Sequence, residues 1–106
     1  MRHFSVGELK DYLDQHSELP LLLDVREPWE FEKCHLDGSI LVPMQQVPNT
    51  ISNFDPEKTT VVICHHGIRS RQVAYYLEQQ GFDNIINLEG GVEAWAQEID
   101  LSMQRY

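Results

Sequence analysis

With 106 residues, 42% of them apolar, the chain is sized for one domain around a single hydrophobic core. A net charge of −9 argues against nucleic acid and anionic membranes as partners, and any anion site in such a chain must be made positive locally. No run of about 18 apolar residues exists, so no membrane-spanning helix is expected, and two cysteines, Cys34 and Cys64, are too few for a disulfide scaffold.

The opening Met1-Arg2-His3-Phe4-Ser5 lacks the apolar stretch of a secretory leader, so a cytoplasmic location with both cysteines as thiols is the expectation. Ser5 with Glu8 reads as a capping box that opens a first helix, and Leu9, Tyr12 and Leu13 give it an apolar stripe through about Asp14. After Pro20, Leu21-Leu22-Leu23-Asp24-Val25 is near-continuously apolar, as expected of a strand buried on both faces. Glu27-Pro28 starts a short helix in which Trp29 and Phe31 are expected to pack. Asp37-Gly38 marks a turn, and Ser39 to Val42 is a strand candidate ended by Pro43. Residues 44–53 read as weakly helical despite Pro48, and residues 55–58 as a polar connector.

Thr59 to Ile63 is the most β-prone stretch of the chain. Arg69 to Gln80 forms the clearest helix, with Val73, Ala74, Tyr76 and Leu77 inward and Gly81 closing it. Ile85 to Leu88 is a last strand. Gly90-Gly91 turns into a short helix with Val92, Ala94 and Trp95, and residues 100–106 read as a loose tail. Strands alternating with helices at short spacing predict an α/β fold with a mostly parallel sheet, whose ligands bind beyond the carboxyl ends of the strands.

The segment Cys64-His65-His66-Gly67-Ile68-Arg69-Ser70 lies at one of those ends. A cysteine in a short loop feeding a helix N-terminus sits among free N–H groups and a partial positive charge, both of which favour an anion such as a thiolate. A free thiol has a pKa of about 8.5, so a reactive cysteine needs such help near neutral pH.

Four motifs carry a family resemblance: Asp24-Val25-Arg26-Glu27, then His35 to Ile40, then Cys64 to Ser70, then Leu88 to Trp95. In that order they resemble the single-domain rhodaneses, the thiosulfate sulfurtransferases, from about residue 4 to residue 98. The resemblance implies a rhodanese-like three-layer sandwich, a sheet of about five strands flanked by helices, with the whole chain, 1–106, as one domain. It also implies an activity. Cys64 takes a sulfane sulfur from a small anionic donor such as thiosulfate, holds it as a persulfide, and hands it to cyanide or a thiol acceptor. No cofactor is implied.

Cys64 is the expected nucleophile, and Gly67 fits a tight loop that aims backbone amides inward. Arg69 is the expected cationic element, able to hold a sulfonate-type oxyanion by forked hydrogen bonds. His65, His66 and Ile68 are expected to line the pocket mouth and supply amides, and Ser70 to cap the loop. Arg71, two residues beyond Arg69, faces another side of the helix and reads as surface charge. By resemblance Asp24 and Arg26 belong near the pocket rim; a salt-bridged pair fixing the loop is the other reading. Cys34-His35 and the loop histidines offer metal-ligand types, but Cys-x-x-Cys and His-x-x-x-His spacings are missing, so no metal is expected. Cys34 reads as a structural thiol, with a resolving role against a Cys64 persulfide as the alternative.

Two rival functions remain. Phosphatases that resemble this family carry a loop one residue longer, a wider cradle than the four residues between Cys64 and Arg69 provide. A persulfide carrier or regulatory module delivering sulfur to a partner protein would use the same cysteine.

Overall fold

The computed structural model describes all 106 residues. Five strands, β1 (Arg2–Phe4), β2 (Leu21–Asp24), β3 (Ile40–Leu41), β4 (Thr60–Ile63) and β5 (Ile85–Leu88), form one sheet in the order β1-β5-β4-β2-β3. Every pairing in it is parallel. The helices are α1 (Val6–Gln15), α2 (Pro28–Lys33), α3 (Val47–Thr50), α4 (Ile68–Gln79) and α5 (Gly91–Glu98).

Alternation along the central strands sorts side chains into two cores. Leu22, Val61, Ile63, Ile86 and Leu88 face α1 and α5, where Val6, Leu9, Val92 and Trp95 meet them. Leu23, Val62, Cys64 and Ile85 face the other way, against Val73, Ala74 and Leu77 of α4 and Val47 of α3. The result is the expected three-layer sandwich, with β4 in the middle of the sheet and its carboxyl end delivering Cys64.

The local signals mostly hold. The capping box at Ser5 forms: Glu8 N–H donates to Ser5 Oγ at 3.1 Å, and Ser5 N–H to Glu8 Oε1 at 2.9 Å. Beyond α4, Gly81 takes φ +95 and the Phe82 amide reaches back to Leu77 O at 3.1 Å, which closes the helix. Residues 44–53 are helical as expected, in three short pieces.

Three expectations change. The strand β1 was not anticipated: three residues, two of them exposed, are too short for alternation to register, and only pairing with β5 defines them. Trp29 does not pack inward but stands 56% exposed on α2. Residues 100–106 lack regular structure, yet they are not a loose tail: Met103 and Tyr106 pack against the α1/α5 core, and Tyr106 reaches the site.

Candidate active site

The loop after β4 is held by close backbone approach. The Val92 and Glu93 amides at the start of α5 donate to Cys64 O at 3.0 Å and His65 O at 3.1 Å. A Cβ on Gly91 would collide with both carbonyls, so only glycine lets α5 come this near. Gly67 supplies the second fold of the loop. Its φ of +101 turns the chain into α4, and a Cβ there would press on Leu88 O and Gly90 N, each at 3.2 Å.

Cys64 is 1% exposed. The turned Gly67 amide donates to its Sγ at 3.1 Å, the loop amide hydrogen bond expected for an anion cradle. The Cys64 thiol donates to Ser70 Oγ at 3.4 Å, and the Ser70 hydroxyl donates in turn to Asn87 Oδ1. Ser70 is therefore more than a cap. If the sulfur becomes a thiolate, the hydroxyl can turn from Asn87 to the sulfur, giving it a second donor. Asn87, fully buried on β5, also donates through Nδ2 to Gly67 O at 3.3 Å. The one signal for it in the sequence is an amide inside the apolar strand Ile85-Ile86-Asn87-Leu88.

Arg69 is not free. Its NH1 and NH2 groups donate to Glu30 Oε1 at 2.7 Å and Oε2 at 2.9 Å, a bidentate pair. That bond is the main cause holding the Glu30 carboxyl down at about 2, against the opposing effect of burial. The same hydrogen bond raises Arg69, with the Cys64 sulfur among the further contributors. Glu30 also receives the Glu27 amide at 3.0 Å and the Tyr106 hydroxyl at 2.7 Å. Burial and the Glu30 hydrogen bond push the Tyr106 phenol well above its ordinary value.

Asp24 and Arg26 take the bland reading, buried rather than at the rim. Both side chains are fully buried, with Arg26 Nε donating to Asp24 Oδ1 at 2.9 Å and NH2 to Oδ2 at 2.7 Å. Arg26 spends its other donors on Cys34 O at 2.6 Å, Glu30 O at 3.3 Å and Tyr106 Oη at 2.8 Å. Burial is the largest single influence and works against its charge, but the hydrogen bonds and charge of Asp24, with Tyr106 added, together outweigh it, and the guanidinium is held above its ordinary value. The pair thus fixes the turn from β2 into α2, which carries Glu30.

His65 stacks on His66 and on Tyr106, at 4.0 Å between centroids in each case. Burial, followed by the neighbouring His66, lowers the His65 pKa. His66 and Ile68 are exposed beside the loop, and Arg71 stands exposed on α4. Cys34, half-buried at the end of α2, is a free thiol like Cys64, and its carbonyl serves Arg26. His65, His66 and Glu93 bring three ligand-type atoms within 4.8 Å of one another, but Arg105 Nε already binds Glu93 Oε1 at 2.6 Å. Glu30 and Tyr106 were not anticipated. Glu30 is masked because it also completes a helix cap, and Tyr106 because it is 80 residues distant from Arg26.

The rhodanese-like domain model matches residues 5–98. Over 94 residues the chain is 34% identical to the thiosulfate sulfurtransferase GlpE of Shewanella oneidensis, spanning 89% of this chain and 91% of that protein. It is 42% identical over 89 residues to the chloroplastic rhodanese-like/PpiC domain-containing protein 12 of Arabidopsis thaliana, covering 80% of this chain but 30% of that protein. The crystal structure of a rhodanese-like domain protein from Staphylococcus aureus superposes with a TM-score of 0.85 at 31% identity, over 93% of this chain and 95% of that one. The chain belongs to the rhodanese-like domain family, among whose members are sulfurtransferases.

Proposed function

We propose that the protein is a sulfurtransferase that moves a sulfane sulfur from thiosulfate or a similar donor to cyanide or a thiol, through a persulfide on Cys64. The Cys64 thiolate attacks the outer sulfur of the donor. The donor's S–S bond breaks, its electron pair leaves with sulfite, and a Cys64 persulfide anion remains. Attack by cyanide on the outer persulfide sulfur then forms thiocyanate and returns the thiolate. Charge balances in both steps, and neither consumes a proton. His65 and His66 therefore line the mouth rather than serve as acid or base, and no metal or cofactor has a part.

The observation that carries this reading is the Gly67 amide donating to Cys64 Sγ in a loop locked by α5. One hydrogen bond, a rotatable Ser70 hydroxyl and the N-terminus of a 12-residue helix all favour sulfur in anionic form. A persulfide carries its reacting sulfur about 2 Å farther out, which suits a nucleophile as buried as Cys64. That burial also supports a second reading, a carrier that passes sulfur to a partner protein and releases it slowly to small acceptors. A cytoplasmic location fits either.

Intact-protein mass spectrometry after mixing with thiosulfate tests the proposal. A gain of one sulfur is expected, lost on adding cyanide and missing in Cys64→Ser; labelling that persists in the variant would refute the assignment. Rapid multiple turnover marks an enzyme, and a stable persulfide with slow release marks a carrier. Turnover of an aryl phosphate would favour the phosphatase reading instead.

A further inference from the structure

We propose that the site is built for sulfane-sulfur donors of single negative charge with an organic group, such as thiosulfonates or persulfides, in preference to the thiosulfate dianion. The inference rests on the sulfurtransferase reading and narrows its substrate class.

The argument begins with the cations near Cys64. Arg69 is the one the sequence offers for a sulfonate, but its forked edge is closed on both oxygens of Glu30. Glu30 has little freedom to swing away. Its side chain is 4% exposed and is held by the Glu27 amide and the Tyr106 hydroxyl as well. Arg26 is fully buried against Asp24, and Arg105 is bound to Glu93. Arg71 lies on another side of α4. Each guanidinium about the loop therefore has its own carboxylate. A dianion would arrive at a mouth that is close to neutral, on a chain of net charge −9.

The second observation is an aromatic row joined to the paired guanidinium through Glu30 Oε2, which accepts from both Arg69 and the Tyr106 hydroxyl. Starting at the residue after Cys64, the His65 ring stacks on Tyr106, and Tyr106 meets the edge of the exposed Trp29 at 5.6 Å. This aromatic row has no use for a sulfonate, but it offers surface to a carbon substituent on the donor.

Methanethiosulfonate is the matched probe. It replaces one oxygen of thiosulfate by a methyl group and carries one charge fewer; attack by Cys64 thiolate gives the same persulfide and releases methanesulfinate. The ratio of kcat/KM for the two donors is measured on the wild type over a range of ionic strength and on Glu30→Gln. Taking the change in ratio cancels the donors' intrinsic reactivities. On the wild type, salt is expected to raise or leave unchanged kcat/KM for thiosulfate, since screening removes a repulsion. Glu30→Gln frees Arg69 and is expected to raise kcat/KM for thiosulfate about tenfold relative to methanethiosulfonate. A steep fall with salt for thiosulfate alone, or a loss of thiosulfate activity in Glu30→Gln at an unchanged or increased preference for methanethiosulfonate, would overturn the inference. The salt series on the wild type decides the matter even if the variant fails to fold. Failure of both donors to place a sulfur on Cys64 overturns the sulfurtransferase reading itself, and this outcome is read separately by mass.

Discussion

Asp24 and Arg26 show how much a short motif can hold and how little of its role it declares. The sequence places them at a strand end, where a site rim and a structural pair are equally reasonable. Burial decides between the two. With neither side chain reached by solvent, removing one charge strands the other in a medium of low dielectric. Asp24→Asn is therefore expected to lower stability by roughly 3–5 kcal/mol, read as the shift of the urea unfolding midpoint. A shift worth less than about 1 kcal/mol would mean that solvent reaches the pair. Cys64, Gly67 and Arg69 were legible because their chemistry depends on neighbours in the chain. Asn87 and Glu30 were not, because their partners lie 17 and 39 residues away.

Between elements, the contact that matters most joins the start of α5 to the loop after β4. Both ends of it are motifs in the sequence, but nothing there says that they touch. The touch depends on Gly91, which has φ +57 and no room for a side chain against Cys64 O and His65 O. Gly91→Ala is expected to push α5 and the loop apart, weakening the Val92 and Glu93 hydrogen bonds and taking the Gly67 amide off the sulfur. Sulfur loading of Cys64 should fall at least about tenfold, while circular dichroism of the folded protein changes little. Unchanged loading would show that the loop holds its shape without the helix. One edge of the sheet was the least legible. The three residues of β1 carry too little pattern and are a strand only because the longer β5 pairs with them, whereas the other edge, β3, forms at Ile40–Leu41 within the stretch that Asp37-Gly38 and Pro43 bracket.

At the scale of the molecule, acid stability follows from Glu30. Its carboxyl drops from 4.5 to about 2 on folding, chiefly through Arg69. A depressed carboxyl contributes its stabilisation in full above the unfolded value and loses it as the pH falls toward the folded one. Between about pH 4.5 and 2 the wild type should thus lose up to about 3 kcal/mol that Glu30→Gln never had. Urea midpoints of the two proteins, compared at pH 6 and at pH 3, should converge as the solution is acidified; a constant gap between them would exclude Glu30 as the source. The fold class and the central strands could be read from short apolar and β-prone runs set between helical stretches and turn residues. The docking of Tyr106 could not, since one aromatic residue in an irregular segment has no periodicity to show.

The order of strands in the sheet also has a bearing on synthesis. Arg2 pairs with Ile86, and β1 has no other neighbour, so the first of the five strands to be made waits for the last of them. Strands β2, β3 and β4 border one another and can assemble first, with Cys64 already in place at the end of β4. The amides of Val92 and Glu93 arrive after all five strands have been made. A nascent domain therefore carries its cysteine for some time before it has the clamp that shapes the surrounding loop, and that shaping belongs to the last stage of its assembly.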